Sequence, residues 1–339
     1  MKYIGMDAHS TTCTFEVMDR GGRVLTRACV PTREGELLRF VDGVSGRKAL
    51  AFEEGMLSQW LYILLKDHVD RLVPCKWEAA RGPKTDRRDA HEIADLLRVG
   101  RLTPVFHGEG ELMQIRALVS AYEDIVQDLT RAKNRYKALY RQLALPTKAT
   151  DFYTNDENLR QLNNPMLEII GGRLFTQVGV LEDLKLEYRK QFEQNVIRYK
   201  EIRLLTSIPG IGPVKANQIV GIVVSPYRFR RKYNFFSYAM LTKHDQQSGG
   251  KRYGRKRVHG RSILKGVFHG AVLNCLKSNN AVRRKYDALI ERGLDHRKAK
   301  GAVSKKLAAT VLGVWKSGKK YDDKLAERGL QQQSRQNTS

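Results

Sequence analysis

The stretch Lys2-Tyr3-Ile4-Gly5-Met6-Asp7, with the alternating Thr12-Cys13-Thr14-Phe15-Glu16-Val17-Met18 behind it, decides how the front of this chain folds. The first run reads as a strand that ends on an acid, and Ala8-His9-Ser10 as a turn. In the second run Cys13, Phe15 and Val17 oppose Thr12, Thr14 and Glu16, the period of a half-buried strand. Asp19-Arg20-Gly21-Gly22 is a hairpin turn, and Arg23 to Val30 returns as a third strand. Glu34 to Val44 reads as a helix, Lys48 to Glu53 as a fourth strand, Ser58 to Lys66 as a second helix and Arg71 to Pro74 as a fifth strand. A third helix follows, beginning near Asp86. The order β-β-β-α-β-α-β-α predicts a mixed sheet carrying helices on its faces.

The acids gather at the ends of these elements. Asp7 closes strand one, Glu53 and Glu54 close strand four, and Asp86 and Asp89 begin the third helix. Asp86 and Asp89 sit in Lys84-Thr85-Asp86-Arg87-Arg88-Asp89-Ala90, three residues apart and so on one helical face. Arg81, Lys84, Arg87 and Arg88 surround them. Acids in a first helical turn also answer the helix dipole, so this motif alone is weak evidence. If strands one and four are neighbours, however, Asp7, one of the two glutamates, Asp86 and Asp89 meet at the sheet edge where open α/β sheets bind ligands. Hard oxygen donors of this kind suit Mg²⁺ or Mn²⁺. Two such ions about 4 Å apart clamp both oxygens of a phosphoryl displacement. His9, just after Asp7, reads as an exposed turn histidine, with contact to the site as the alternative, and Trp60 as a core residue of the second helix.

The charge distribution identifies the partner class. The 339 residues carry a net charge of +25. From Met1 to Glu111 the chain holds 17 basic and 17 acidic residues, and the remainder holds 44 basic against 19 acidic. A neutral, acid-bearing front and a basic remainder suggest catalysis in one part and much of the grip on a polyanion in the other. No apolar run approaches the ~20 residues of a membrane span. Met1 to Asp7 is too short in apolar length for a signal peptide. Cys13, Cys29, Cys75 and Cys275 have no metal-site spacing, which fits a reducing cytoplasm.

Glu111 to Leu145 carries a heptad pattern: Ile115, Leu118, Tyr122, Ile125, Leu129, Ala132, Tyr136, Leu139 and Leu143. A second long helix is expected from about Thr176 to Leu205, with a polar stretch, Pro146 to Asn164, between them. The seam reads either as an antiparallel pair within one chain or as a contact between subunits. Ser207-Ile208-Pro209-Gly210-Ile211-Gly212-Pro213 resembles the turn of a helix-hairpin-helix module, a phosphate-binding device. Tyr227 to Lys265 holds twelve Lys or Arg against one acid, Asp245, with Tyr227, Phe229, Tyr233, Phe235, Phe236, Tyr238 and Tyr253 interleaved. That mixture suits phosphate neutralisation with base stacking. Within it, Gln246-Gln247-Ser248-Gly249-Gly250 is expected as a flexible loop. Ser262 to Lys277 and Ala299 to Lys316 read as closing helices. The expected division is 1–110, 111–205, 206–322 and a polar tail, 323–339.

These pieces resemble a known family. The strand order and the acids D…E…D-x-x-D are those of the RNase H-like fold of RuvC-type junction resolvases. Tyr3-Ile4-Gly5-Met6-Asp7, Phe52-Glu53-Glu54-Gly55 and Lys84 to Ala90 are closer still to the DEDD transposases of bridge-RNA-guided insertion sequences. The resemblance runs from Met1 to about Asp322. It implies an RNase H-like (RuvC-like) α/β domain, a coiled coil and a mainly helical transposase domain. It further implies a metal-binding tetrad of Asp7, one glutamate, Asp86 and Asp89. Glu53, which directly follows the apolar Phe52, is our choice, with Glu54 the alternative. In the same way it implies that Ser248 is a nucleophile forming a phosphoserine link to DNA, with Ser237 and Ser262 as rivals on the residues alone. Met240 to Asp245 departs from the family's usual wording before that serine. The implied cofactor is Mg²⁺, with Mn²⁺ as a substitute. The implied partners are DNA, a structured noncoding guide RNA and further copies of the chain as a dimer or tetramer, with no membrane. The competing readings are a RuvC-like structure-specific endonuclease that uses water, and a non-enzymatic DNA-binding protein.

Overall fold

The computed structural model describes residues 1–76, 85–148, 151–257 and 260–324. Arg81 and Lys84, two of the four cations expected around the Asp86 motif, lie outside the described residues. The chain forms two units, Met1–Glu109 and Gly110–Ser339.

The first unit is built on strands β1 (Lys2–Ala8), β2 (Thr12–Met18), β3 (Val24–Pro31), β4 (Lys48–Glu53), β5 (Arg71–Lys76) and the short β6 (Thr103–Pro104), with helices α1 (Glu34–Gly43), α2 (Ser58–Leu65) and α3 (Asp86–Arg98). They form one six-stranded sheet in the order β3-β2-β1-β4-β5-β6. β1 pairs antiparallel with β2 and parallel with β4, and β4 is parallel to β5. Every element expected in this region is present, and β6 is an addition. The mixed sheet is consistent with an RNase H-like fold.

Alternation along the strands sorts the side chains onto two faces. Ile4, Met6, Cys13, Phe15, Val17, Leu50 and Phe52 bury one face with Leu37 and Val41 of α1 and Leu61 and Leu65 of α2. Ala49, Ala51, Val73 and Cys75 bury the other with Ile93 and Leu97 of α3. Small residues let α3 lie close to this second face. A Cβ on Gly5 would stand 2.0 Å from the Ala90 carbonyl oxygen and 2.5 Å from the Ala94 nitrogen. Trp60 departs from expectation: it is 36% exposed, because α2 turns Ser58, Leu61 and Leu65 inward and leaves Trp60 outside.

The second unit begins with α4 (Glu111–Gln142) and, after a short 3-10 helix at Asp156–Leu162, continues with α5 (Pro165–Arg198), α6 (Lys200–Leu205), α7 (Pro213–Val223), α8 (Lys232–Tyr238), the hairpin β7 (Lys243–Ser248) and β8 (Lys251–Arg257), then α9 (Ser262–Cys275), α10 (Ala281–Glu291) and α11 (His296–Ser317). α4 and α5 pack antiparallel within the chain. Tyr122 meets Phe192 at one end, with ring centroids 5.0 Å apart. Leu129 and Ala132 meet Val178 and Leu181 further along. The start expected near Thr176 is corrected to Pro165. Asn164 caps the helix, accepting from the Met166 and Leu167 amides, and Pro165 fills the first turn. The helix also stops before Leu205, because Tyr199 is extended (φ −109°, ψ 118°) and α6 begins anew. The stretch before Asn164 is not merely polar, since Phe152 and Leu162 pack with Tyr136 and Tyr140.

A single large core joins α4 to α11, including Tyr122, Phe192, Ile219, Phe235, Phe268 and Trp315. Asn195 and Asn217, 4% and 0% exposed, link α5 to α7 through a 2.8 Å hydrogen bond from Asn195 Nδ2 to Asn217 Oδ1. α10 was not expected from the sequence. Its cap is Asn280, whose side chain accepts from the Val282 and Arg283 amides.

Candidate functional site

Asp7 ends its strand pointing to the α3 side. Residues 3, 5 and 7 of β1 share that face, and Gly5 lies directly against Ala90 and Ala94. Asp86 and Asp89 open α3. Thr85 caps the helix, its hydroxyl accepting from the Arg88 amide at 3.3 Å. Asp7 is only 7% exposed and Asp89 2%. Asp86 is open to solvent, with 57% of its side chain exposed.

The ligand atoms of Asp7, His9 and Asp86 lie within 4.8 Å of one another. His9 Nε2 stands 3.1 Å from Asp7 Oδ2 and 3.5 Å from Asp86 Oδ1. Both readings of His9, an exposed turn residue and a contact of the site, hold together. Its side chain is 48% exposed, but its imidazole bridges the two carboxylates. Asp89 is close enough for its charge to act on Asp7, although among the described residues neither it nor Glu53 belongs to the compact ligand cluster. The Asp7 carboxyl is raised above its ordinary range. Burial is the main cause; His9 opposes it, and the charges of Asp86 and Asp89 add to it. Ligands of one small divalent ion at about 2.1 Å stand about 3 to 4.2 Å apart. The donor set and its spacing therefore fit such an ion.

Glu53 and Glu54 part company at the end of β4. Alternation carries Glu53 onto the face of Ala49 and Ala51, the α3 side. β1 and β4 run in parallel register with Met6 opposite Phe52, so Asp7 and Glu53 follow side by side. Glu54 turns the other way. Its Oε2 lies 2.6 Å from Nε2 of the buried His107, whose Nδ1 lies 3.0 Å from Gln59 Oε1. Burial, followed by the nearby Glu53 and Glu54 charges, pushes the Cys75 thiol up to about 12. Sequence reasoning missed His107, because nothing local connects it to a glutamate 53 residues earlier.

A groove of ≈ 730 Å³ opens beside Asp86, lined by Thr14, Arg27, Cys29 and Arg87 among others. Glu16, 1% exposed on β2, accepts from Arg27 Nε at 2.5 Å and also pairs with His91 of α3. Cationic side chains thus border the acids in the described residues as well.

In the second unit Ser248 is the last residue of β7, exposed and paired with Lys251 across the hairpin. The flexible loop expected there is instead a two-residue turn. Gly249 and Gly250 both have positive φ (56° and 75°), which lets the chain reverse at once. The aromatic residues of the basic stretch divide. Phe229, Phe235 and Phe236 are buried in the core, whereas Tyr227, Tyr233 and Tyr253 are 71%, 65% and 68% exposed. Lys232 lies 5.5 Å over the Tyr233 ring, and Arg228 lies 4.7 Å over Tyr238. α6 and α7 are joined by a turn in which Gly210 has φ +78° and a Cβ would meet the Ala271 carbonyl at 2.3 Å. That glycine serves packing against α9. Ser262, expected as a cap, is the first residue of α9, and Arg261 precedes it as the capping position.

Residues 4–144 match a family model of DEDD transposases of the IS110 kind, described as Transposase. Residues 202–287 match the model described as Transposase IS116/IS110/IS902 family.

The chain carries the domains of an IS110-family transposase.

The first match covers β1 to α4 and contains Asp7, Glu53, Asp86 and Asp89. The second runs from α6 into α10 and contains Ser248. No curated protein matches the transposase. It is a DNA transposase/recombinase enzyme of an insertion sequence, and DNA is its partner. Membership of the DEDD group implies dependence on a divalent metal. Among the described residues, no helix is long and apolar enough to cross a membrane.

Proposed function

We propose that the transposase cuts and rejoins DNA at a Mg²⁺-dependent centre formed by Asp7, Glu53, Asp86 and Asp89, with Ser248 as nucleophile. The observation that carries this reading is the convergence of Asp7 and Asp86, 79 residues apart in sequence, on one imidazole at the end of β1. Glu53 is preferred to Glu54 because β4 turns it to the Asp7 side while Glu54 is bonded to His107. Mn²⁺ is expected to substitute for Mg²⁺.

In the proposed step Ser248 Oγ attacks a backbone phosphorus and gives up its proton. The Oγ–P bond forms as one P–O ester bond breaks, and the departing sugar oxygen takes a proton. Rejoining reverses the step, with a hydroxyl of another strand attacking the phosphoserine. A bound divalent ion supplies polarisation of the phosphoryl oxygen and eases deprotonation of the attacking hydroxyl. The carboxylates orient that ion. The groove cations Arg27 and Arg87 neutralise the strand beside the cut. Tyr227, Tyr233 and Tyr253, exposed among cations, stack on unpaired bases. The α6–α7 turn is read as a phosphate contact. A structured noncoding RNA from the same element serves as guide, and the chain works as a dimer or tetramer.

The test is a denaturing gel of protein incubated with DNA bearing the element's ends and the flanking noncoding RNA. A protein–DNA adduct is expected with Mg²⁺. Ser248→Ala should remove the adduct and strand joining, and Asp86→Asn should remove all cleavage. Adduct persisting in Ser248→Ala, or cleavage with no adduct in the parent chain, overturns the serine mechanism and favours hydrolysis by water.

A further inference from the structure

We propose that His9 is a nitrogen ligand of the divalent ion, so that the centre is a mixed imidazole–carboxylate site. The inference rests on the reading that Asp7 and Asp86 hold that ion. His9 Nε2 lies 3.1 Å from Asp7 Oδ2 and 3.5 Å from Asp86 Oδ1. Neighbouring ligands about 2.1 Å from a shared ion are separated by about 3 Å, so one nitrogen stands at ligand spacing from both acids.

The turn that carries His9 is fixed at its backbone. The His9 amide donates to the Thr12 carbonyl at 3.0 Å, and the Thr32 hydroxyl donates to the His9 carbonyl at 2.7 Å. Thr32 also donates its amide to the Thr11 carbonyl at 2.9 Å, tying the turn to the end of β3. The backbone that carries the imidazole is therefore placed by contacts independent of Asp7, and the ring itself meets Asp7 through Nε2. A neutral ring nitrogen is a common metal donor. Imidazole suits transition ions, whereas Mg²⁺ takes carboxylates and water. His9 should therefore tilt this centre toward Mn²⁺, whereas a purely positioning histidine would affect both ions alike.

Mn²⁺ itself is the probe. It is added to the full-length protein, and electron spin-echo envelope modulation is recorded with ¹⁴N- and ¹⁵N-histidine. A directly bound imidazole nitrogen is expected in the parent chain and should vanish in His9→Ala and His9→Gln. Mn²⁺ affinity should fall at least about tenfold in both variants, no less than when a residue merely supporting a ligand is lost. Mg²⁺ affinity should change far less. Circular dichroism checks that both variants fold, which a half-exposed turn residue should permit. Bound Mn²⁺ without a nitrogen signal, a signal that survives in both variants, or equal losses for the two ions overturns the assignment and leaves the carboxylate centre standing. Failure of the parent chain to bind Mn²⁺, or binding unchanged in Asp7→Asn, overturns the carboxylate centre and His9 with it.

Discussion

Gly5 has no side chain because the backbone of α3 occupies that space. An added methyl would meet the Ala90 carbonyl oxygen and the Ala94 amide nitrogen, and neither is a side chain that can rotate away. Gly5→Ala should therefore cost about 3 kcal/mol, the upper part of the overpacking range, measured by urea unfolding. A loss below about 1 kcal/mol would mean that the helix has room to move. Asp7, two residues on, carries the opposite kind of cost. Burial first, then Asp86 and Asp89, raise its carboxyl above the usual 3.8, with His9 opposing. In the metal-free protein, Asp7's contribution to stability is greatest below its unfolded value. That contribution is lost as pH rises through the higher folded one. Asp7→Asn removes this penalty. In chelator its melting temperature should exceed the parent's at pH 7, with the gap closing as pH falls toward 4. Adding Mg²⁺ should raise the parent's melting temperature and leave the variant's unchanged, a pattern readable by calorimetry.

Helices and strands placed the acids, and short-range signals placed the helices. Thr85, itself extended, caps and starts α3, fixing Asp86 and Asp89 in its first turn. Thr85→Ala should cost about 1 kcal/mol and weaken Mn²⁺ binding, since Asp86 would fray with the first turn. Equal affinity in the variant and the parent would show that the cap does not hold the site. In the second unit the α5–α7 contact depends on Asn217, which donates to the Phe192 and Pro213 carbonyls at 3.0 and 2.9 Å and accepts from Asn195. Asn217→Ala leaves buried polar groups unpaired and opens a cavity, so about 3 kcal/mol should be lost. An unchanged denaturation midpoint would exclude that role. The heptad seam gave α4 and its partner side, because Ile115, Tyr122, Leu129, Ala132 and Tyr136 are all buried, but its last member, Leu143, lies past the helix end at Gln142 and is 42% exposed. It did not give the start of α5, because Asn164 read as the end of a polar linker and the helix was expected only from about Thr176.

Across the whole chain, charge is the property that separates function. The first 111 residues are balanced and the rest carries the entire surplus of +25. Phosphate contacts release counterions, and each contributes about 0.9 to the slope of log affinity against log salt. The full transposase should bind DNA with a slope on the order of five or more, whereas residues 1–109, which contain both sheet cores, should melt cooperatively and show a shallow one. A fragment slope as steep as the full chain's would place the grip in the first unit instead.

The sequence by itself determined the order β-β-β-α-β-α-β-α of the first unit, the presence of two long helices after it, the positions of the acids and the basic character of the second unit. Those features follow from local period and composition, which residues carry with them in any context. Tertiary structure alone decided that His9 meets Asp7 and Asp86, that Glu54 turns to His107, and that Phe229, Phe235 and Phe236 belong to the core. These depend on which surfaces pack together after the chain has closed loops of tens of residues. A residue's own type and its near neighbours hold no record of that.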